Sequence, residues 1–350
     1  MDLRELGWQP FFDEQVDFEE LNSLLAVRVF AHFGSRLLVA STEEEYSIPY
    51  PLVTARMEQG CGDEPVAVGD WFLVTQQDQH VVKRLTRKTV LARKAAGDTV
   101  KPQLIASNID TVFIVSSCNH DFNPSRLERY LALVLESEAT PVVVLTKSDL
   151  HDDPHSLSQI AAALHPGLVV ETINALDPEQ ASVLEYWCRK GQTIAMLGSS
   201  GVGKSTLANT LCGKSIKTQG SREDDSKGRH TTTARYMHPL AAGGWLIDTP
   251  GMRELQLADC EDGVNQVFED LVLLADQCQF RNCSHQGDHG CALESAVESG
   301  ELDARRLTNY LKLLSEQARN SASLAERRER ERKTGKMYKR ILSEKQKRRQ

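Results

Sequence analysis

One stretch of the chain matches the phosphate-binding loop pattern G-x-x-x-x-G-K-[ST] at every fixed position: Gly198-Ser199-Ser200-Gly201-Val202-Gly203-Lys204-Ser205. An apolar, strand-like run precedes it, and a helix-compatible run beginning at Thr206 follows it. Glycines let successive backbone N–H groups face phosphate oxygens at a helix N-terminus, where the helix dipole favours negative charge. Lys204 is expected to reach the β- and γ-phosphates and Ser205 to hold Mg²⁺. A glycine- and serine-rich turn that matches by chance is the alternative, but the strand and helix on either side argue against it.

The length of 350 residues allows two or three domains. No run of 18 apolar residues occurs, and residues 1–10 lack a signal-peptide pattern, so we expect a cytoplasmic protein that does not engage a membrane. The net charge of −8 is uneven. Residues 326–350 hold twelve Lys/Arg and four Glu, a net +8, which leaves −16 for the remainder. This C-terminal basic tail suits nucleic acid, although a solvated charged helix is the alternative.

The N-terminal quarter has a different residue pattern. After an acidic lead-in over residues 1–25, short β-type runs separated by Gly and Pro continue to about residue 95. This spacing predicts a small antiparallel barrel, most simply an OB-fold. Its aromatic and basic side chains are candidates to meet a nucleic-acid backbone: Phe30, Trp71, Arg84, Arg87 and Lys88. The alternative, which we favour for Phe30 and Trp71, is that the aromatic side chains fill the barrel.

From Asn108 onward, strand-like and helix-like runs alternate, which predicts a mainly parallel sheet with ligand loops at the carboxyl ends of the strands. One of these strands ends in Asp248-Thr249-Pro250-Gly251, a D-x-x-G turn. There Asp248 is expected behind Mg²⁺, with the Gly251 N–H near the γ-phosphate. The preceding polar loop holds Thr231-Thr232-Thr233, and Thr232 is our candidate to close over Mg²⁺.

A third strand ends in Thr146-Lys147-Ser148-Asp149, which is similar to the guanine-reading pattern N-K-x-D. Asp149 is expected to accept hydrogen bonds from the guanine N1–H and amino groups, which adenine cannot donate. Asn174-Ala175, after the next strand, is the candidate to pack on the base. Alone this tetrapeptide could be a helix cap. Beside a phosphate-binding loop it predicts GTP and GDP as ligands, with Mg²⁺.

The order of these motifs is unusual, because the base-reading motif precedes the phosphate-binding loop by about fifty residues. The chain thus resembles the circularly permuted ribosome-assembly GTPases of the RsgA (YjeQ) type along nearly its whole length. The resemblance implies a multidomain protein: an OB-like β-barrel (26–95), a circularly permuted α/β P-loop GTPase domain (104–255), and a mainly helical zinc-binding module with the basic tail (256–350).

The C-terminal module carries Cys278-x4-Cys283-x-His285-x5-Cys291. Three thiolates and one imidazole suit one tetrahedral, structural Zn²⁺, and the spacing matches the zinc motif of the family. His289 is a nearby spare, and the resemblance favours His285. Three unrelated cysteines and a surface histidine are the alternative.

Two positions depart from the usual GTPase pattern. Thr146 stands where Asn is usual, so guanine affinity is expected to be lower while Asp149 keeps specificity. Met252 stands where many GTPases place a water-orienting Gln, and methionine cannot polarise water. His230 is our candidate for that role, with Arg229 and Lys204 stabilising charge. A solvated loop histidine is an equal alternative for His230.

The resemblance implies a monomeric GTPase that binds the small ribosomal subunit and its rRNA late in assembly and is stimulated by the subunit. One rival is a P-loop metabolic kinase, which D-x-x-G and the guanine motif oppose. Another is a non-enzymatic zinc RNA-binding protein with a vestigial nucleotide site, which the intact Lys204, Ser205 and Asp248 oppose.

Overall fold

The computed structural model describes residues 1–51, 53, 65–94, 102–214, 235–248 and 260–319. Several predicted site residues lie outside the described residues: Arg229, His230, Thr232, Gly251 and Met252. The basic tail also lies outside them.

Thirteen strands lie within the described ranges: β1 Leu24–His32, β2 Arg36–Ala40, β3 Glu45–Pro49, β4 Trp71–Thr75, β5 Val81–Arg84, β6 Val90–Lys94, β7 Pro102–Ser107, β8 Thr111–Ser117, β9 Thr140–Thr146, β10 Val169–Thr172, β11 Thr193–Leu197, β12 Arg235–Pro239 and β13 Trp245–Asp248. The 3-10 helices Ser148–Leu150 and Ser182–Trp187 accompany them, together with the α-helices α1 Pro10–Asp13, α2 Phe18–Ser23, α3 Pro124–Glu136, α4 Pro154–Ala162, α5 Pro178–Ala181, α6 Lys204–Cys212, α7 Glu261–Val267, α8 Glu269–Ala275, α9 Ala292–Ser299 and α10 at 304–319.

The first five strands form an antiparallel array in the order β3-β2-β1-β4-β5. Alternate apolar residues on one face share a buried cluster, which includes Val27, Val29, Phe72 and Val74. Within the described ranges β3 and β5 are not hydrogen-bonded to each other, so these strands do not close into a barrel there. The expected antiparallel β-unit is therefore present as a five-stranded sheet.

The other face of this sheet is covered by the N-terminal segment. Trp71 is fully buried with its ring centroid 5.0 Å from that of Trp8, and Phe30 is buried 4.6 Å from Trp245. Both aromatics are buried, but not inside the five-stranded array as predicted: they belong to the cluster on its other face, where Trp71 packs against Trp8 and Phe30 against Trp245 of β13. The lead-in is thus part of the core, since Leu6 and Phe12 are also buried.

The second half of the sheet is parallel, in the order β10-β9-β8-β11-β13, as the alternating pattern predicts. β8 and β11 are buried at every position, as expected for strands covered on both faces. β12 is the exception. It runs antiparallel to β13 and also pairs with β1 at Ala31–Tyr236 and His32–Arg235, which joins both halves into one eleven-stranded sheet.

Helices α7 to α10 pack on α3. Gly263 of α7 lies so close to α3 that a Cβ atom there would be 2.0 Å from the Ala132 carbonyl oxygen. The Glu136 carboxylate accepts a hydrogen bond from the Gly263 N–H at 2.7 Å. Buried apolar side chains from both sides belong to one cluster: Leu127, Tyr130, Leu131, Val264, Phe268, Leu293 and Leu313.

A buried carboxylate also joins α3 to α10. Glu128 is fully buried, and its two oxygens accept hydrogen bonds from Arg305, Arg306 and Asn309 at 2.6–3.4 Å. Arg306 also donates to Asp270 at 2.8 Å and lies over the Phe268 ring. Because the charge of Glu128 is matched by two guanidinium groups, it is tolerated in the core.

Candidate functional site

The phosphate-binding loop connects β11 to α6. Gly198 and Gly203 have φ angles of +149° and +98°, where side chains are strained. A Cβ atom at Gly198 would be 2.2 Å from the Val115 carbonyl oxygen of β8. The two fixed glycines of the pattern are therefore required by backbone conformation, and at Gly198 by the close approach of the neighbouring strand.

The first turn of α6 carries the phosphate-binding side chains. Lys204 Nζ donates to the Gly198 carbonyl oxygen at 2.6 Å and also to that of Ser199, so its ammonium lies over the loop. Ser205 and Thr206 follow on the same turn and are half-buried. The N–H groups of this turn and the Lys204 charge together make an anion-binding site.

Asp248 ends β13, which pairs in parallel with β11. Burial raises the pKa of Asp248, and the positive charge of Lys204 acts in the opposite direction. A half-buried carboxylate beside an ammonium group and a serine hydroxyl suits Mg²⁺ bound to phosphate. The described residues thus bring together the expected strand, loop and helix elements of a Mg²⁺–phosphate site.

The base-reading segment contacts the phosphate-binding loop directly. Thr146 ends β9 and is fully buried, with its hydroxyl within hydrogen-bond distance of the carbonyl oxygens of Val202 and Ser116. Lys147 has a left-handed backbone (φ +57°), and its ammonium donates to the Gly201 carbonyl oxygen at 2.7 Å. Thr146 therefore braces the phosphate loop and is turned away from solvent.

Asp149 lies in the 3-10 helix after these residues, with an exposed side chain. The Ser148 N–H donates to the Ile173 carbonyl oxygen at 3.3 Å, which brings this segment against the loop after β10. A carboxylate exposed at this edge, beside the phosphate loop, is able to accept hydrogen bonds from a purine base.

The loop after β10 is built by its own side chains. The Asn174 side-chain oxygen accepts from the Leu176 N–H at 3.0 Å, so Asn174 shapes the turn. The Ala175 carbonyl oxygen accepts from the Thr210 hydroxyl of α6 at 2.8 Å. Sequence reasoning did not find Thr210 or Ser116. Their positions on α6 and β8, next to the phosphate loop, could have identified them, because ligand sites form at the ends of neighbouring strands.

The four predicted metal ligands converge beyond α8. The ligand atoms of Cys278, Cys283, His285 and Cys291 all lie within 4.8 Å of one another. His285 Nδ1 is 3.6 Å from the Cys278 sulfur and 3.5 Å from the Cys291 sulfur. Tetrahedral zinc with Zn–S of about 2.3 Å and Zn–N of about 2.1 Å requires a sulfur–nitrogen separation of ~3.6 Å. The donor set and its spacing therefore fit a tetrahedral metal ion.

The surroundings of this cluster support the same conclusion. The Ala292 N–H donates to the Cys278 sulfur at 3.3 Å, and Asp288 accepts from the Ser284 hydroxyl at 2.7 Å. Partial burial, together with neighbouring thiols, raises the pKa of Cys283 to about 12. A divalent cation reverses this effect, because a coordinating thiol is deprotonated. His289 is exposed and is not among the four grouped ligands.

A family model described as RsgA GTPase matches residues 84–258. A curated relative from Vibrio parahaemolyticus serotype O3:K6, the small ribosomal subunit biogenesis GTPase RsgA 2, is 50% identical over 349 residues, covering 99% of this chain and 95% of the relative. A relative from Mesorhizobium japonicum, the small ribosomal subunit biogenesis GTPase RsgA, is 46% identical over 325 residues, 91% of each chain.

Two solved structures share the fold. YjeQ from Thermotoga maritima has a TM-score of 0.60 at 23% identity and covers 84% of this chain and 99% of its own. YloQ, described as a circularly permuted GTPase, has a TM-score of 0.57 at 20% identity, covering 87% of this chain and 98% of its own. The permuted order read from the motifs is therefore the order of a known fold. In the ranges that the structure describes, no helix is long and apolar enough to cross a membrane.

Proposed function

The chain belongs to the RsgA GTPase family, and on that premise we propose that it binds the small ribosomal subunit late in assembly and hydrolyses GTP to GDP and phosphate when the subunit stimulates it. The observation that carries the nucleotide part is the contact between Lys147 of the guanine motif and Gly201 of the phosphate loop. This contact joins the guanine motif and the phosphate loop into one continuous site, although their order in the chain is permuted.

In this site Asp149 reads the guanine edge, while Asn174 and Ala175 shape the loop that packs on the base. The phosphate loop from Gly198 to Thr206 holds the phosphates. Lys204 neutralises charge that develops on the β–γ bridge during hydrolysis. Since an adenine base leaves the Asp149 carboxylate without donors, GTP is favoured over ATP.

Mg²⁺, when bound with GTP, neutralises phosphate charge and orients the γ-phosphate. Ser205 and Thr232 are the proposed direct ligands, and Asp248 lies behind them. The Gly251 N–H is assigned to the γ-phosphate. Thr232 and Gly251 lie outside the described residues, so these two roles follow from the motifs alone.

We assign the orientation of the attacking water to His230, with Arg229 stabilising negative charge. Both lie outside the described residues. The assignment follows from Met252, whose thioether cannot orient water. Replacing His230 by Ala is expected to abolish subunit-stimulated hydrolysis without loss of subunit binding.

The remaining units supply the contacts with the subunit. The five-stranded N-terminal array is proposed to be an OB-fold barrel (26–95), followed by the GTPase domain (104–255). The cluster of Cys278, Cys283, His285 and Cys291 is proposed to hold one structural Zn²⁺ in the module over 256–350. The basic tail is proposed to lie along rRNA phosphates. The protein is proposed to act as a cytoplasmic monomer.

The GTP-bound form is proposed to bind the subunit and the GDP-bound form to leave it. β12 directly follows the loop that contains Thr232, and it pairs with β1 of the N-terminal array. An order–disorder change in that loop would therefore act on the N-terminal array through β12. Binding is reciprocal, so a subunit that is bound more tightly with GTP must tighten GTP binding by the same factor.

Sedimentation with purified small subunits tests this proposal. Co-sedimentation is expected with a non-hydrolysable GTP analogue and to be weaker with GDP, while large subunits are not bound. Equal binding in the two nucleotide states would remove the proposed coupling. A metabolic kinase, the rival enzyme class, would transfer the γ-phosphoryl group to a small-molecule acceptor, so formation of GDP and free phosphate without any acceptor excludes it.

A further inference from the structure

Helices α7 to α9 and the turns between them form a strongly acidic segment of the C-terminal module. Residues 260–303 contain ten Asp/Glu and one Arg, a net charge of −9 without His. A surface of this sign repels nucleic-acid phosphates. This acidic surface is therefore unsuited to RNA, whereas a basic segment complements it.

Part of this acidic surface surrounds an exposed apolar side chain on α8. Leu273 is 60% exposed. Glu269, four residues before it, and Asp276, three residues after it, are also exposed, and this spacing places all three on one helix face. Phe280, in the turn after α8, is 51% exposed. We call Glu269, Leu273 and Asp276 the α8 face; the neighbouring Asp270 already pairs with Arg306 at 2.8 Å.

The helix that leads toward the basic tail ends beside the start of the acidic segment. At the end of α10, the Gln317 side-chain oxygen accepts from the N–H of Cys260, the residue before α7. Residues 320–350 follow directly, and 31 residues span up to ~100 Å when extended, so the tail reaches any point on α7 or α8. The chain that leads into the +8 tail thus starts next to the −9 segment.

The tail also has apolar residues to match Leu273. Met337, Tyr338, Ile341 and Leu342 have the i, i+1, i+4, i+5 spacing of a single helix face, with Lys and Arg at most intervening and following positions. A basic segment with one apolar stripe complements an acidic face with an apolar centre. The charge of the tail and its apolar stripe therefore both make the tail a suitable partner for the α8 face.

We propose that in the free protein the tail, residues 326–350, docks on the α8 face with its apolar stripe against Leu273. The tail is thereby held off nucleic acid until rRNA, with its much higher density of negative charge, displaces it. Docking itself does not depend on the proposed function, whereas the displacement by rRNA rests on it.

Zero-length carbodiimide cross-linking of the full-length chain tests the docking, because it joins a Lys amine to a carboxylate in contact with it. The expected products link tail lysines such as Lys336, Lys339 or Lys345 to Glu269 or Asp276, and they decrease as salt increases. An equimolar mixture of ¹⁵N-labelled and unlabelled chains separates links within a chain from links between chains. Absence of α8-face links, or links only between chains, overturns the proposal.

A charge variant gives a second readout. In the full chain, Glu269→Gln with Asp276→Asn is expected to remove the α8 links and to raise affinity for a single-stranded RNA probe about fivefold at low salt, from two exposed ion pairs. Leu273→Ser is expected to weaken the links as well. The matched control is Glu43→Gln with Glu44→Gln, two exposed carboxylates of the β2–β3 turn. Equal RNA affinity in both charge variants contradicts the proposal, even if small subunits are bound normally.

Discussion

The Lys147 ammonium donates to the carbonyl oxygen of Gly201 at 2.7 Å, although the two residues are 54 positions apart. Beside it, the Thr146 hydroxyl lies against the Val202 carbonyl oxygen. The end of β9 is thus one wall of the phosphate loop. The permuted chain order therefore leaves the spatial order of the guanine and phosphate sites intact.

Asp149→Asn is expected to change base preference. The wild-type protein should bind GTP and GDP at least about tenfold more tightly than ATP and ADP, because adenine leaves the carboxylate unpaired. The amide of the variant can donate to the 2-oxo group of xanthine, so xanthosine diphosphate should become the better ligand. Competition against a fluorescent GDP measures both.

The matched control is Asp152→Asn, another exposed carboxylate three residues further along the chain. It should keep the guanine preference. Equal affinity of the wild-type protein for GTP and ATP would refute the assignment of Asp149.

Thr146→Val removes a hydroxyl but conserves side-chain volume. Because Thr146 is fully buried, the carbonyl oxygens of Val202 and Ser116 would lose this hydrogen-bond donor without gaining water. One lost buried hydrogen bond costs about 1–3 kcal/mol, which corresponds to a GDP affinity about fivefold or more lower. Thr146→Ser, which keeps the hydroxyl, should bind GDP within about twofold of wild type. Isothermal titration measures the difference, and identical affinities for the Val and Ser variants would contradict the bracing role.

One zinc per chain is expected in protein purified without chelators, and His285→Ala should lose it. His289→Ala is the control and should retain it, since His289 is exposed and outside the four-ligand group. Elemental analysis measures the metal. Chelation should also make the half-buried thiols of Cys278 and Cys283 accessible to iodoacetamide, whereas Cys118 and Cys188 should stay unreactive because both are fully buried. Full metal retention in His285→Ala would contradict the site.

Glu128→Leu is expected to destabilise the protein by about 3–5 kcal/mol, because Arg305 and Arg306 lose the buried carboxylate that pairs with them. Chemical denaturation measures the change. Glu138→Leu is the comparison: Glu138 lies just beyond the end of the same helix, and its substitution should change stability by less than about 0.5 kcal/mol. A loss below about 1 kcal/mol for Glu128→Leu would show that this cluster does not fix the C-terminal helices on α3.

The sequence predicted the site better than it predicted the packing. Gly198, Lys204 and Asp149 are identified by fixed spacings that the chemistry requires, and the apolar run expected before the phosphate loop is the strand β11. Pairing of β12 with β1, by contrast, joins residues about two hundred positions apart. No local pattern encodes such a pairing.

The same holds for the contacts made by Glu128 and Trp8. Glu128 lies in an amphipathic helix, where its charge alone predicts an exposed side chain. It is buried because α10 places two arginines next to its carboxylate. Trp8 lies in an acidic segment that shows little periodicity, and it is buried against Trp71. The burial of Glu128 and of Trp8 depends on partners far away in the chain, and the local sequence pattern does not identify those partners.

The most direct test of the account is the rate of GTP hydrolysis by the full-length protein, alone and with purified small ribosomal subunits. A slow intrinsic rate is expected, since Met252 cannot orient water, together with stimulation of at least about tenfold by small subunits. Large subunits at the same concentration should give no stimulation. A rate that is the same with and without small subunits would contradict the central claim.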